Sequence, residues 1–330
     1  LSHGDWQNSF TLLSDDPDFC NLCADKDWEL IIQQELDGLG DELSINKPFV
    51  NVTKIHSDAY QQVVTAAGDR YPDVSQALEN QINQGTLVLN YFGHGGEEGL
   101  ANEFIYDKNM AQRLYHPGRY PLFVTSTCEF SRFDNPNLLT AGEMTYANPS
   151  GGAISLISTT RQIFVSNGIN YNNILSKHLF AYGSDEYPSM AEALRLAKRE
   201  FSGTAQKRIV FYIGDPALRL SIPGSSVALT KFNDTELDAL TNAQKQLRAL
   251  DKVRLSGEIL DASGDVSSKF NGEVVVTVFD KSIEKTTLNN SGLGVMDFTT
   301  LGNIIFKGNT TVNNGTFDID FVVPKDISLP

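Results

Sequence analysis

Short, nearly unbroken apolar runs punctuate the first two thirds of the chain. Five of strand length occupy residues 10–14, 49–55, 87–92, 122–127 and 153–157, and a further one covers 208–213. They are rich in Val, Ile, Leu and Phe and do not alternate with polar residues, the pattern of a strand covered on both faces. Between them apolar positions recur at helical spacing. Trp28, Ile31, Ile32, Leu36 and Leu39 follow a capping candidate, Asp25, while Val74, Leu78 and Ile82 follow Pro72. Ser189-x-x-Glu192 reads as a capping box ahead of Ala193, Leu194 and Ala197. Strands and helices in alternation predict an α/β domain, a mostly parallel sheet with helices on both faces.

The texture changes after Pro223-Gly224-Ser225-Ser226. Residues 253–260, 272–279, 303–306 and 317–323 alternate or are β-branched, and Gly, Asn, Asp and Ser clusters separate them. This predicts a small antiparallel sandwich, with one α/β domain over 1–224 and an all-β domain over 225–330. Residues 236–250 read as a short helix or an irregular edge. A length of 330 residues suits two domains. No run approaches the roughly 20 apolar residues of a membrane span. The chain opens on Leu1 without a signal-peptide pattern, and the sandwich looks short of strands by residue 330, so a longer parent chain is expected.

The formal net charge of −15 argues against nucleic acid as the main partner, because binding phosphates needs an excess of Lys and Arg. It leaves two readings: solubility alone, or clustered carboxylates that hold Ca²⁺. Asp15-Asp16-Pro17-Asp18 is such a cluster, without the spacing of an EF-hand loop. Cys20 and Cys23 form an isolated C-x-x-C, open to a disulfide, a redox pair or two plain thiols, since no second ligand pair completes a zinc site.

The third cysteine stands in a more telling place. Cys128 ends the run at 122–127, and Gly93-His94-Gly95-Gly96 ends the run at 87–92. In open parallel sheets, sites form outside the carboxyl ends of the strands. Neighbouring strands lie about 4.8 Å apart, so the two side chains would share one edge. A thiol of pKa about 8.5 is mostly protonated at neutral pH and needs a base. An imidazole supplies one and later protonates the leaving amine. The N–H groups of Gly95 and Cys128 are candidates for an oxyanion hole. Asp58, Asp15 and Asp16, each just past a strand, are candidates for the group that orients the histidine, and each also reads as a turn or cap residue. No G-x-S-x-G elbow, H-E-x-x-H helix or phosphate-binding glycine loop competes.

At these residues the chain resembles the gingipain-type, caspase-like cysteine peptidases. Leu89-Asn-Tyr-Phe-Gly-His-Gly-Gly96, the string from Tyr120 through Cys128 to Asp134, and Gly214-Asp-Pro-Ala-Leu-Arg-Leu220 carry the resemblance, with Gly68-Asp-Arg-Tyr-Pro72 and Asp58-Ala-Tyr60 in support. It covers about residues 5–222 and is strongest to the sortase branch that serves the type IX secretion system. The resemblance implies a caspase-like sheet followed by an immunoglobulin-like sandwich. It also implies a thioester on Cys128, and a place on the bacterial outer membrane facing outward. Substrates would be proteins with a C-terminal secretion domain, partners would be outer-membrane secretion proteins, and a lipopolysaccharide amine would accept the acyl group. It requires no cofactor, allows Ca²⁺ as a structural ion, and points to Thr159, Thr160 and Arg161 as the edge of the substrate pocket. The other reading is a catalytically inactive scaffold or adhesion module that kept the fold.

Overall fold

A computed structural model describes residues 4–18, 27–66, 68–202, 205–261 and 263–327, with the side chains of residues 27 and 28 also left aside. Cys20, Cys23 and the capping candidate Asp25 lie outside the described residues. The chain separates into two compact units. One comprises Leu1–Ser221 with Glu284–Thr300, and the other comprises Ile222–Ile283 with Leu301–Pro330.

The first unit is built on a six-stranded sheet of β1 (Ser9–Ser14), β2 (Asn51–His56), β3 (Val88–Phe92), β4 (Leu122–Ser126), β5 (Ser155–Thr159) and β6 (Val210–Ile213). Their order in space is β6-β5-β4-β3-β1-β2. All neighbours are parallel except β6, which runs antiparallel to β5. Every residue of β3, β4 and β5 is buried. Their side chains meet a helix layer on each face, which is why the runs do not alternate. From β1 the chain winds outward to β2, then returns to the other side of β1 and proceeds to β3 and β4. The crevice between β1 and β3 is therefore the topological switch point, where sites of open α/β sheets form.

On one face, Leu13, Ile55, Leu89, Tyr91, Phe123 and Leu156 pack with α2 (Pro72–Gln84), α3 (Lys108–Arg113) and α4 (Ala141–Ala147). Val74, Leu78 and Ile82 of α2 are fully buried at four-residue spacing. Each contributes roughly 1.5–3 kcal/mol of burial. The other face carries α1 (Asp27–Asn46), α5 (Val165–Leu179) and α6 (Met190–Glu200). Asn90 and Asn172 tie β3 to α5 through paired side-chain amides at 2.9 and 3.1 Å. Ser189 does cap α6, accepting from the Glu192 N–H, but the Glu192 carboxylate turns to Arg195, so only half of the expected box forms.

The second unit holds two antiparallel sheets. In one, Thr235–Glu236 lies beside β7 (Ser226–Phe232), then β8 (Lys252–Leu260) and β11 (Thr316–Val322); in the other, β9 (Gly272–Phe279) pairs with β10 (Ile304–Val312). Val253, Leu255, Ile319 and Phe321 face Val276, Val278 and Phe306, so the sheets share a core. Phe306 and Phe321 stack at 4.4 Å. Residues 236–250 contain a single short 3₁₀ turn, Leu237–Ala239.

Between β9 and β10 the chain leaves this unit and joins the first. Phe298 packs edge-on against the buried His56 ring at 4.7 Å, and the Leu288 N–H donates to the Asp58 carbonyl at 2.7 Å. Among the described residues no helix is long and apolar enough to cross a membrane.

Candidate active site

β3 and β4 pair in parallel with Phe92 opposite Ser126. His94 and Cys128 therefore leave the sheet at the same level, each two residues beyond its strand. The glycines beside the histidine allow neighbouring loops to close on it. A Cβ on Gly93 would lie 2.3 Å from the Asp15 Cβ, and one on Gly95 would lie 2.6 Å from the Thr127 Oγ1. Gly93 thus admits the loop after β1 on one side, and Gly95 admits the loop after β4 on the other.

His94 is held at three points. Its N–H donates to Asp15 Oδ2 at 2.7 Å, and its carbonyl accepts from the Tyr91 hydroxyl at 2.5 Å and the Ala101 N–H at 3.0 Å. Its Nε2 faces Glu29 Oε2 at 3.2 Å, with Asp18 Oδ2 at 3.8 Å. Glu29 is buried in the first turn of α1. Burial works against charge on the imidazole, but Glu29, Asp15 and Asp18 outweigh it and carry the His94 pKa up to about 9. Glu29 is placed to stabilise the imidazolium that forms when His94 takes a proton from a nucleophile.

Cys128 is a free, partly buried thiol, and its Sγ lies 4.0 Å from the Ile163 carbonyl oxygen. Burial pushes its pKa up, the carbonyl contact opposes this, and Glu129 adds to it. Cys128 and His94 line one cavity of about 510 Å³. Its apolar lining comes from Ile31, Ile32 and Phe92 together with Ile163, Phe164, Val165 and Ile169. The arrangement offers a nucleophile, a base and a cleft with apolar walls at one sheet edge.

The other expected residues divide. Gly95 sits against the Cys128 loop, in a two-strand ladder with Gly95 opposite Leu100. The Ala101 N–H bonds His94, so the alternation of that ladder directs the Gly95 N–H away from its partner strand. Asp15 and Asp16 lie behind His94, with Asp15 holding its backbone rather than its ring.

Asp58 does not orient the histidine. Its carboxylate accepts from the N–H groups of Asn289 and Asn290 and from the Asn290 side chain, at 2.8–3.1 Å. It anchors the returning segment, and Glu29 occupies the place expected of it. Thr159, Thr160 and Arg161 do not line the cavity. The Thr159 hydroxyl donates to the Thr127 carbonyl, Thr160 bonds the Ile209 carbonyl, and Arg161 forms a bidentate pair with Asp134 at 2.6–2.9 Å. These residues brace the loop that carries Cys128. The wall expected of them is supplied a few residues later, by Ile163–Ile169.

A thiol and an imidazole on adjacent strand ends of a caspase-like sheet, opening on one cleft, define a site of the cysteine-peptidase class. The sequence model of peptidase family C25 matches residues 1–221, and the chain belongs to that family, the gingipain family of cysteine peptidases. Among solved structures it is similar to the arginine-specific cysteine proteinase gingipain R, with 12% identity and a TM-score of 0.47 over 98% of this chain and 62% of that one. It is similar to dimeric latent PorU from Porphyromonas gingivalis, with 27% identity and a TM-score of 0.31 over 55% and 17% of the two chains. A structure described as a protease matches with 13% identity and a TM-score of 0.50 over 97% and 68%. The chain thus spans less than two thirds of the gingipain R chain. No curated protein matches it.

Proposed function

We propose that this chain carries the catalytic machinery of a cell-surface peptidase of the sortase kind, with Cys128 as nucleophile and His94 as base. The observation that carries the proposal is the placement of both side chains on one cavity, with the His94 ring seated on buried Glu29. In its neutral form, which the raised pKa makes the minority below about pH 9, His94 takes the thiol proton and the sulfur attacks a substrate peptide carbonyl. The tetrahedral oxygen is met by the N–H groups of Gly95 and Cys128. Collapse breaks the C–N bond, His94 returns the proton to the departing amine, and a thioester remains on Cys128. Water then gives a free carboxylate, whereas an amine gives a new amide, and each restores the thiol.

The amine route is the finer part of the proposal. It rests on the likeness of residues 89–96, 120–134 and 214–220 to the sortase branch. On this reading the substrate is a secreted protein whose C-terminal secretion domain is removed at the outer face of a bacterial outer membrane, beside the secretion proteins of that membrane. A lipopolysaccharide amine is the acceptor, and the two sheets of the second unit form an immunoglobulin-like domain. The test is incubation with such a substrate plus glycinamide, read by mass spectrometry. Wild type should yield both the acid and the amide, and Cys128→Ala neither. Acid alone at every glycinamide concentration would remove the transfer step. Cleavage by Cys128→Ala would remove the whole reading.

A further inference from the structure

We propose that the cavity beside Cys128 selects the substrate by an apolar side chain, carried by the residue whose carbonyl the sulfur attacks. The inference rests on the reading of Cys128 as nucleophile and adds to it which bonds are cut. The cavity measures about 510 Å³. An apolar cavity of about 150 Å³ already takes a benzene ring, so a leucine or phenylalanine side chain fits with room to spare. Ile31 and Ile32 of α1, Phe92 at the end of β3, and Ile163, Phe164 and Ile169 supply apolar surface.

Two of these side chains are left in water. Phe164 is 68% exposed and Ile31 is 36% exposed. The backbone at Phe164 is nonetheless fixed. Its N–H donates to Gln206 Oε1 at 2.9 Å, and its carbonyl accepts from the Gly168 N–H at 2.8 Å in the first turn of α5. Gly168 lets that turn close on the sheet, since a Cβ there would stand 2.9 Å from Phe92 Cε2 and 3.0 Å from Ser126 Oγ. The apolar surface is thus preformed and partly uncovered, so a side chain that covers it gains binding. Ile163 ties the cavity to the chemistry, because its carbonyl oxygen is the atom 4.0 Å from Cys128 Sγ. The side chain that branches one atom from the attacked carbonyl is the one this places in reach.

Charge argues against the other classes of side chain. A cationic one would meet no carboxylate among the described residues that line the cavity. Glu29 and Asp18 both direct theirs to the His94 ring. Ser126 lines the cavity with a buried hydroxyl that has no hydrogen-bond partner among the described residues. That is one partner against the five N–H donors of a guanidinium. An acidic side chain finds the imidazole already matched by Glu29 and Asp18, and would exchange its water for apolar surface.

The experiment treats the whole chain with tripeptidyl chloromethyl ketones that differ only in the last residue: Leu, Phe, Ala, Arg or Glu. Labelling is followed by intact mass and mapped by peptide digestion. The sulfur attacks the methylene carbon, chloride leaves and the thiol proton passes to His94. The label therefore reports the nucleophile together with the residue beside the attacked carbonyl. The Leu and Phe ketones should label Cys128 at least about tenfold faster than Ala, and faster still than Arg or Glu. Ile169→Asp should turn the preference toward Arg, which a merely destabilising change would not do. Should that variant fail to fold, Phe164→Ala, which trims an exposed side chain, should cut the Leu-to-Ala ratio by about threefold or more. A smaller lead of Leu and Phe over Ala in wild type, or Arg or Glu ahead of them, would overturn the proposal and leave the nucleophile standing. No label on Cys128 from any of the ketones would remove the nucleophile reading itself, and the proposal with it.

Discussion

The contact between Gly95 and Thr127 supports a quantitative prediction. A methyl group on residue 95 would stand 2.6 Å from Thr127 Oγ1, 3.2 Å from Thr127 Cγ2 and 3.0 Å from the Gly99 carbonyl oxygen. Ordinary contact begins near 3.4 Å. Gly95→Ala must therefore push the His94 loop and the Cys128 loop apart by roughly 0.8 Å, at an overpacking cost of about 1–3 kcal/mol. A misplacement of about 1 Å between reacting groups costs about 10²-fold in rate, or about 2.7 kcal/mol of barrier. We expect Gly95→Ala to fold and to lose nearly 10²-fold in kcat/KM. Thr127 Oγ1 is buried without a hydrogen-bond partner among the described residues, so Thr127→Ala alone should be nearly silent. The double variant removes the shortest contact and the other Thr127 contact, leaving only the 3.0 Å approach to the Gly99 carbonyl, and should recover much of the lost rate, a coupling of about 1–2 kcal/mol in a double-mutant cycle. Peptide cleavage and the rate of Cys128 alkylation both report it. Full activity in Gly95→Ala, or strict additivity in the cycle, would refute the claim that this contact sets the spacing of the two loops.

Glu29→Gln should leave the fold intact and lower kcat by about 10²–10⁴-fold, because the neutral amide no longer supports the imidazolium; steady-state kinetics on the purified variant test it. Asp58→Ala should do the reverse. It leaves the Asn289 and Asn290 N–H groups without their acceptor and should cost on the order of 2–4 kcal/mol in denaturant unfolding, while the folded variant keeps its kcat. His116 is buried and its Nε2 bonds the Gly152 carbonyl at 3.0 Å; burial holds its pKa below the usual value. Its folded pKa lies below the unfolded value of about 6.5, so its contribution is whole above pH 6.5 and is lost as pH falls through that value toward the folded pKa. Melting midpoints should therefore drop below about pH 6.5, and less steeply in His116→Gln.

The parts of this protein that could be read from the chain are those whose physics is local. The runs at 87–92 and 122–127 are mostly apolar and do not alternate because helices cover both faces, and their ends locate His94 and Cys128. Glu29 was not readable, since its partner lies 65 residues away and an acid in the first turn of a helix looks like a dipole complement. Thr159–Arg161 were placed on the correct edge, but position along a strand does not say where a side chain turns, and Thr159 turns back to the Thr127 carbonyl. The strand Ile304–Val312 showed only its apolar start, because Lys307, Gly308 and Asn309 break the pattern on its exposed stretch. The return of residues 284–300 to the first unit had no signature, being fixed by hydrogen bonds to Asp58 rather than by an apolar run.

The central claim, a thioester on Cys128 formed with His94 as base, is tested most directly by acid-quenched intact-mass spectrometry during turnover of a mixture of synthetic peptides. The account predicts an acyl adduct that maps to Cys128 in wild type, is absent in Cys128→Ala and is strongly reduced in His94→Ala. Peptide cleavage without an adduct on Cys128, or an adduct of undiminished yield in His94→Ala, would contradict it.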